Sequence, residues 1–201
     1  MKPNLYLLTF LGIFFAACNS STPKEEKAKL ENYTSKEVGW TIEIPENYTK
    51  LSKTRLEANE KKWKQALANA KDDETTNSKS LLLVNFQKNQ FNSLLATAQV
   101  FDLTKDGDYL VNRQLVKKMI YDTYTNQKIK VDTLSAAEVI AGQKFQTFNI
   151  TLFGPNGEVL LNQITYNKLI NGYDFGISIN YNTETDKEIL INAFKNSKFA
   201  K

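Results

Sequence analysis

The alternation of apolar and polar side chains is clearest between Tyr173 and Tyr181. Apolar residues there occupy every second position, and polar residues or glycine lie between them. A period of two predicts a β-strand with one apolar face toward a core and one polar face. Shorter alternating stretches and apolar runs bounded by polar residues predict further strands. These strands are predicted at residues 40–44, 81–86, 94–102, 128–131, 139–152 and 159–169.

Glycine and asparagine mark the connections between these strands. The sequence Gly-Pro-Asn-Gly at 154–157 predicts a turn, and Asn171-Gly172 predicts a two-residue hairpin loop that needs positive φ. Polar residues at 88–92 predict a hairpin connection. Gly142 is interpreted as a bulge or bend inside one long strand over 139–152.

Two helices are predicted from capping boxes followed by apolar residues at helical spacing. Thr54 with Glu57 predicts a helix over about 54–70, and Thr185 with Glu188 predicts a helix near the end of the chain. The buried side of this last helix is predicted to contain Ile189, Leu190, Ala193 and Phe194.

A further helix is predicted to begin after Asp106 or Asp108, either of which can cap its N-terminus, and to run to about Tyr124. Its apolar side is interpreted as two rows, Val111, Leu115 and Met119 in the first and Val116 and Ile120 in the second. The acidic residues before it do not form an EF-hand calcium loop. A loop starting at Asp102 would need a glutamate at its twelfth position, which is occupied by Arg113.

The first eighteen residues have a pattern of their own. Lys2 provides a positive start, residues 5–15 are almost wholly apolar, and Ala16-Ala17 precede Cys18, the only cysteine. The apolar run is much shorter than the ~20 residues that span a bilayer. This segment resembles a bacterial lipoprotein signal peptide with its lipobox, which implies cleavage before Cys18 and acylation of its sulfur. The alternative is an ordinary secretory signal with a chance cysteine.

The resemblance to lipoproteins implies a division of the chain into three parts. Residues 1–17 are the signal peptide, 18–36 are a polar linker with few apolar groups, and 37–201 form one folded domain. Acyl chains on Cys18 would attach the protein to a membrane. Asn19 after the cysteine favours the outer membrane by the lipoprotein sorting rule, on the periplasmic or the cell-surface face.

Composition excludes several classes of chemistry. The 201 residues contain no histidine, so catalytic triads with histidine and Cys/His zinc sites are impossible. The 26 basic and 22 acidic residues give a net charge of +4, spread along the chain, which does not indicate nucleic acid binding. We therefore expect no catalytic residues, no cofactor and no metal.

The order of predicted elements, with the Gly39-Trp40 opening strand, Pro45, and a closing strand and helix followed by Lys198-Phe199, resembles the PsbP-like fold. The resemblance implies an α+β domain over about 38–199. Its mainly antiparallel sheet of six or seven strands would be flanked by three helices in an α/β/α sandwich. The alternative is another α+β sandwich with a different strand order.

Two functions are compatible with these features. The first is a non-catalytic binding or scaffold module whose partner is an envelope protein or glycan. Its candidate binding surface is the polar face of the last two strands, with Asn162, Tyr166, Asp174, Ser178 and Asn180. The second is a glycan hydrolase that uses two facing carboxyl groups. Acidic residues cluster at 72–74 and 102–108, where solvated loops and helix caps are the simpler interpretation.

Overall fold

A computed structural model of the chain describes residues 30–52 and 80–200. Two helices are present in these ranges, α1 (Tyr109–Asn126) and α2 (Glu184–Lys195). The helix predicted at 54–70 lies outside the described residues. The strands are β1 (Asn32–Ser35), β2 (Trp40–Glu43), β3 (Thr49–Lys50), β4 (Ser80–Asn89), β5 (Asn92–Val100), β6 (Lys130–Ile140), β7 (Gln143–Phe153), β8 (Val159–Ile170), β9 (Tyr173–Tyr181) and β10 (Lys198–Phe199).

Seven strands form one antiparallel sheet in the order β3-β4-β5-β9-β8-β7-β6. Tight turns join β6 to β7 and β8 to β9, and both turns have positive φ at their two central residues. The hairpin at Asn171-Gly172 confirms the prediction, with φ of 52° and 75°. The prediction of one long strand over 139–152 is wrong, because Ala141 and Gly142 form a two-residue turn with φ of 47° and 76°.

Three further strands form a second sheet in the order β1-β2-β10, which shares no strand with the first. The strand predicted around Trp40 therefore belongs to this small sheet and not to the main one. Strand β1 falls inside the stretch 18–36 that we predicted as linker, because its four residues pair in register with β2. The domain consequently begins earlier than the sequence indicated.

The main core lies between one face of the seven-stranded sheet and the layer formed by β2 and α2. Trp40 is fully buried and its ring packs against Phe175 of β9 and Phe194 of α2, with centroid distances of 5.1 and 6.5 Å. The indole N–H of Trp40 donates a hydrogen bond to the Ser197 hydroxyl, 2.9 Å away. Buried aromatic rings thus fix the position of α2 over the sheet.

Both helices have side-chain caps at their N-termini. Asp108 accepts a hydrogen bond from the Val111 N–H at 2.9 Å, which confirms one of the two predicted caps. Thr183 caps α2 by accepting a hydrogen bond from the Asp186 N–H, so the predicted box at Thr185 and Glu188 is wrong. The capping pair thus lies two residues earlier, and the Asp186 carboxylate accepts a hydrogen bond from the Thr183 hydroxyl.

Helix α1 covers part of the opposite sheet face, and its orientation differs from the predicted one. Its buried residues are Arg113 and Lys117, while the apolar Val111 and Leu115 are 60% and 63% exposed. Ile120, in the second predicted row, packs against the smaller apolar cluster on this face of the sheet. The row through Val111 and Leu115 therefore faces outward, contrary to a core-facing helix pattern.

Candidate functional site

A groove of about 510 Å³ lies where α2 passes the outer face of the three-stranded sheet. This volume falls within the ~300–1,000 Å³ typical of ligand sites. Both the sheet and the helix contribute side chains, and polar groups predominate. The groove is lined by Asn32, Thr41, Glu43, Pro45, Ile189, Asn192, Ala193, Asn196 and Lys198.

The period of two in β2 builds the sheet side of the groove. Trp40 and Ile42 point into the core, so Thr41 and Glu43 project from the opposite face of the strand. Asn32 lies directly opposite Glu43 in the β1–β2 register, and opposite residues in an antiparallel pair share a face. The core anchors of β2 therefore determine which side chains reach the groove.

The helical period builds the other wall. Leu190 and Phe194 are fully buried and hold one side of α2 against the core. The neighbouring side of the helix then faces the groove, because residues three and four apart lie in one row. That row consists of Ile189, Asn192, Ala193 and Asn196.

The groove provides hydrogen-bonding groups together with one charge of each sign. The side-chain amides of Asn32, Asn192 and Asn196 line it and have no hydrogen-bond partner within the described ranges 30–52 and 80–200. Each amide offers both donors and an acceptor. In the described part of the lining, Glu43 is the one carboxyl group and Lys198 the one cation, so these residues do not offer two facing carboxyl groups.

A buried carboxylate anchors the first turn of α2. Asp186 is 3% exposed and accepts hydrogen bonds from Tyr48, Lys88 and Thr183, each at 2.9 Å. Burial by itself raises the pKa of the Asp186 carboxyl group, but these three hydrogen bonds outweigh it and hold the pKa below its usual value. The ionised carboxylate thus attaches α2 to β4 and to the segment after β2.

The predicted binding surface is only partly brought together. Asp174, Ser178 and Asn180 share the polar face of β9, and all three are half-buried. Gln163 of β8 donates hydrogen bonds to the Ser178 hydroxyl at 3.0 Å and to the Asn180 carbonyl at 2.9 Å. These side chains bond to one another, so they form a polar ladder within the sheet face.

The assignment of Asn162 and Tyr166 to that face is wrong. The β8–β9 register places Asn162 opposite Tyr181 and Tyr166 opposite Ile177, on the face that carries the main core. Tyr166 is 2% exposed and packs against Phe194 with a ring centroid distance of 5.0 Å. Successive residues of a strand point to opposite faces, so Asn162 and Tyr166 lie on the face opposite to that of Gln163.

Asp174 is committed to contacts with α1. Its carboxylate accepts hydrogen bonds from Arg113 at 2.9 Å and from the Tyr109 hydroxyl at 2.8 Å. Arg113 also donates to the side-chain carbonyl of Asn167 at 3.0 Å, and its side chain is only 10% exposed. Gly176 leaves the space for this arrangement, because a Cβ there would lie 3.0 Å from the Asn167 amide nitrogen. Burial and the Asp174 charge raise the pKa of the Tyr109 phenol.

A second cation of α1, Lys117, is buried, and no carboxylate of residues 30–52 or 80–200 pairs with it. Lys117 donates hydrogen bonds to the Ser135 hydroxyl at 3.1 Å and to the Thr147 carbonyl at 3.3 Å. Its ammonium group also lies 5.5 Å from the centroid of the Phe148 ring. Burial and the nearby Arg113 charge lower the pKa of Lys117. The two cations explain why the apolar row of α1 faces outward.

Residues 30–52 and 80–200 contain neither a metal-binding cluster nor a membrane-spanning helix. No cluster of three or more acidic, histidine or cysteine side chains there could hold a metal ion. No helix in the same ranges has both the length and the apolar character needed to cross a bilayer. Cys18, the predicted acylation site, lies outside the described residues.

Sequence reasoning missed the groove. Its residues come from three separate segments, and Asn32 lies in the stretch predicted as linker. One local signal was available, because Asn192 and Asn196 are four residues apart on the same helix. The predicted buried side of this helix is confirmed at Leu190 and Phe194 and is wrong at Ile189, which is 36% exposed.

Comparisons with known proteins concern the fold. No known protein family matches the sequence, and no curated protein matches it either. Among solved structures, the chain is similar to cyanobacterial PsbP (CyanoP) from Synechocystis sp. PCC 6803. The TM-score is 0.56 at 12% identity, over 90% of this chain and 99% of that one. The chain therefore has a PsbP-like fold, built from a seven-stranded and a three-stranded antiparallel sheet with helices packed on them.

Proposed function

We propose that this protein is a lipid-anchored, non-catalytic binding module of the bacterial cell envelope, and that the groove recognises an extended segment of a partner protein. The observation that carries the proposal is the set of side-chain amides facing the groove without partners in the described ranges. The proposed anchor is the acylated sulfur of Cys18 at the outer membrane.

The position of the groove suits a tethered receptor. Asn32 lines the groove and is also the first residue of β1, so the proposed linker enters the domain beside the site. A chain from Cys18 to Asn32 can extend about 50 Å at most. A partner segment near the membrane would therefore be within reach of the groove.

The chemistry of the lining favours a protein segment over a glycan. Amide side chains donate to and accept from main-chain groups, which an extended peptide presents at regular spacing. Pro45, Ile189 and Ala193 add a small apolar floor, and Glu43 and Lys198 can each pair with an opposite charge. Among residues 30–52 and 80–200, no aromatic ring lines the groove, so the described lining offers no stacking surface of the kind that sugar rings favour.

The groove is tested by photo-crosslinking in intact cells. A photoreactive amino acid at Asn192 is expected to give a covalent adduct with one protein, and the same substitution at exposed Gln114 of α1 is the control. Mass spectrometry should map the adduct to a continuous segment of the partner. Equal adducts at both positions, no adduct at Asn192, or an adduct with a glycan would contradict the proposed recognition.

The anchor is tested separately, by fractionation. The Cys18→Ser variant should move from the membrane fraction to the soluble one, because two or more acyl chains are what hold such a protein firmly. The Ser20→Ala variant, two residues away, should stay with the membrane. If Cys18→Ser remains membrane-bound, or if the intact mass of the native protein shows no added hydrocarbon, the lipid anchor is wrong while the groove is unaffected.

A further inference from the structure

Strand β6 forms one edge of the seven-stranded sheet and leaves its outer side unpaired in the described part of the chain. It has 11 residues and pairs with β7 along its whole length without a register shift. Residues 132–137 are all exposed, and Leu134 and Val139 are 63% and 66% exposed. A long, regular edge with exposed apolar residues is a template for another strand.

In the described residues, the opposite edge of the same sheet is covered at Phe86 and Gln87 of β4, which pair with β3. Strand β3 has only two residues, Thr49 and Lys50, and Lys50 forms an ion pair with Glu31. Short edge strands and charged edge residues are the usual means of preventing edge-to-edge pairing. The central part of β6, residues 133–137, carries no charge and no proline.

We propose that β6 pairs with β6 of a second copy of this chain, antiparallel, about a two-fold axis at Leu134. The pairing would join two seven-stranded sheets into one continuous sheet, and each copy would contribute the same surface, as in most symmetric dimers. The inference rests on the sheet edge alone and is independent of the groove and of the lipid anchor.

Charge complementarity favours this register over one with the axis shifted to Ser135. With the axis at Leu134, Lys130 of each copy lies opposite Glu138 of the other, and the two Leu134 side chains face each other. The Glu138 side chain is 37% exposed, so it remains accessible although it also contacts Lys195 at 2.7 Å. With the axis one residue further on, at Ser135, Asp132 would lie opposite Glu138 in both copies, which is unfavourable. Self-complementary charges favour a second copy over an unrelated strand.

Disulfide formation in intact cells tests the register. A Leu134→Cys substitution places two cysteines directly opposite each other, at the Cα separation of about 4.4–6.8 Å that a disulfide needs. Mild oxidation is expected to convert most of this variant into a dimer on a non-reducing gel. Ala136→Cys, in the same strand and on the same face, is the matched control, because its two copies would lie about 13 Å apart and should stay monomeric.

A charge variant separates specific pairing from collision. Adding Lys130→Glu to Leu134→Cys opposes two carboxylates at both ends of the interface and should lower the dimer yield about tenfold. The chain without an added cysteine is a further control, because any disulfide that it forms must involve Cys18. The proposal is overturned if Leu134→Cys gives no dimer, if Ala136→Cys crosslinks equally well, if Lys130→Glu leaves the yield unchanged, or if the cysteine joins a different protein.

Discussion

Replacement of Asp174 by alanine is expected to lower the free energy of unfolding by about 3–5 kcal/mol, which is the usual cost of breaking a buried ion pair from one side. The guanidinium group of Arg113 would lose its counter-charge in a place where water does not compensate it. The Tyr109 hydroxyl would lose its acceptor at the same time. Because both donors lie on α1, the helix would lose its polar attachment to β9.

Urea unfolding of the purified protein measures this effect. Asp132→Ala is the matched control, since Asp132 lies exposed on β6 and its loss should change the free energy by less than about 0.5 kcal/mol. The double variant Arg113→Met/Asp174→Leu should recover most of the stability, because it leaves no unpaired buried charge. Equal stabilities of Asp174→Ala and Asp132→Ala would show that the ion pair does not hold α1.

The sheet was largely predictable because its signals are local. The alternation at Tyr173–Tyr181 and the Asn171-Gly172 turn are each contained in a few neighbouring residues, and both are confirmed. The Ala141-Gly142 turn was missed because alanine is a poor indicator of positive φ, although glycine beside it allows the turn.

The sheet face on which Tyr166 lies could also have been deduced from the sequence. A two-residue loop at Asn171-Gly172 fixes Ile170 opposite Tyr173, and counting back along both strands places Tyr166 opposite Ile177. Ile177 belongs to the apolar set of β9, so Tyr166 had to face the core. The prediction failed because it did not use the register of the hairpin.

The orientation of α1 could not be deduced from its own sequence. Its apolar row is real, but the sheet face beneath it presents polar groups, among them Asn167 and Asp174, which match Arg113. Which sheet face a helix covers is a tertiary property, and no pattern within α1 contains it. The groove was equally hidden, because it depends on β1, β2 and α2 meeting in space.

Replacement of Phe194 by alanine should also lower the free energy of unfolding by about 3–5 kcal/mol and should disturb the groove, since α2 forms one of its walls. Phe194 is fully buried, with ring centroids of Phe145 and Tyr166 at 5.3 and 5.0 Å, and a cavity would remain among these rings. Ile189→Ala is the matched control on the same helix, because Ile189 is 36% exposed and should cost about 1 kcal/mol.

Urea unfolding gives the two free energies, and the photo-crosslink at Asn192 reports the groove in each variant. Phe194→Ala is expected to lose the crosslink under conditions where the chain is still folded, because α2 would no longer be held against Trp40. Ile189→Ala keeps the helix in place and should change only the apolar floor. A crosslink that survives in Phe194→Ala would mean that the aromatic core does not position this wall, and that the amides reach the partner without it.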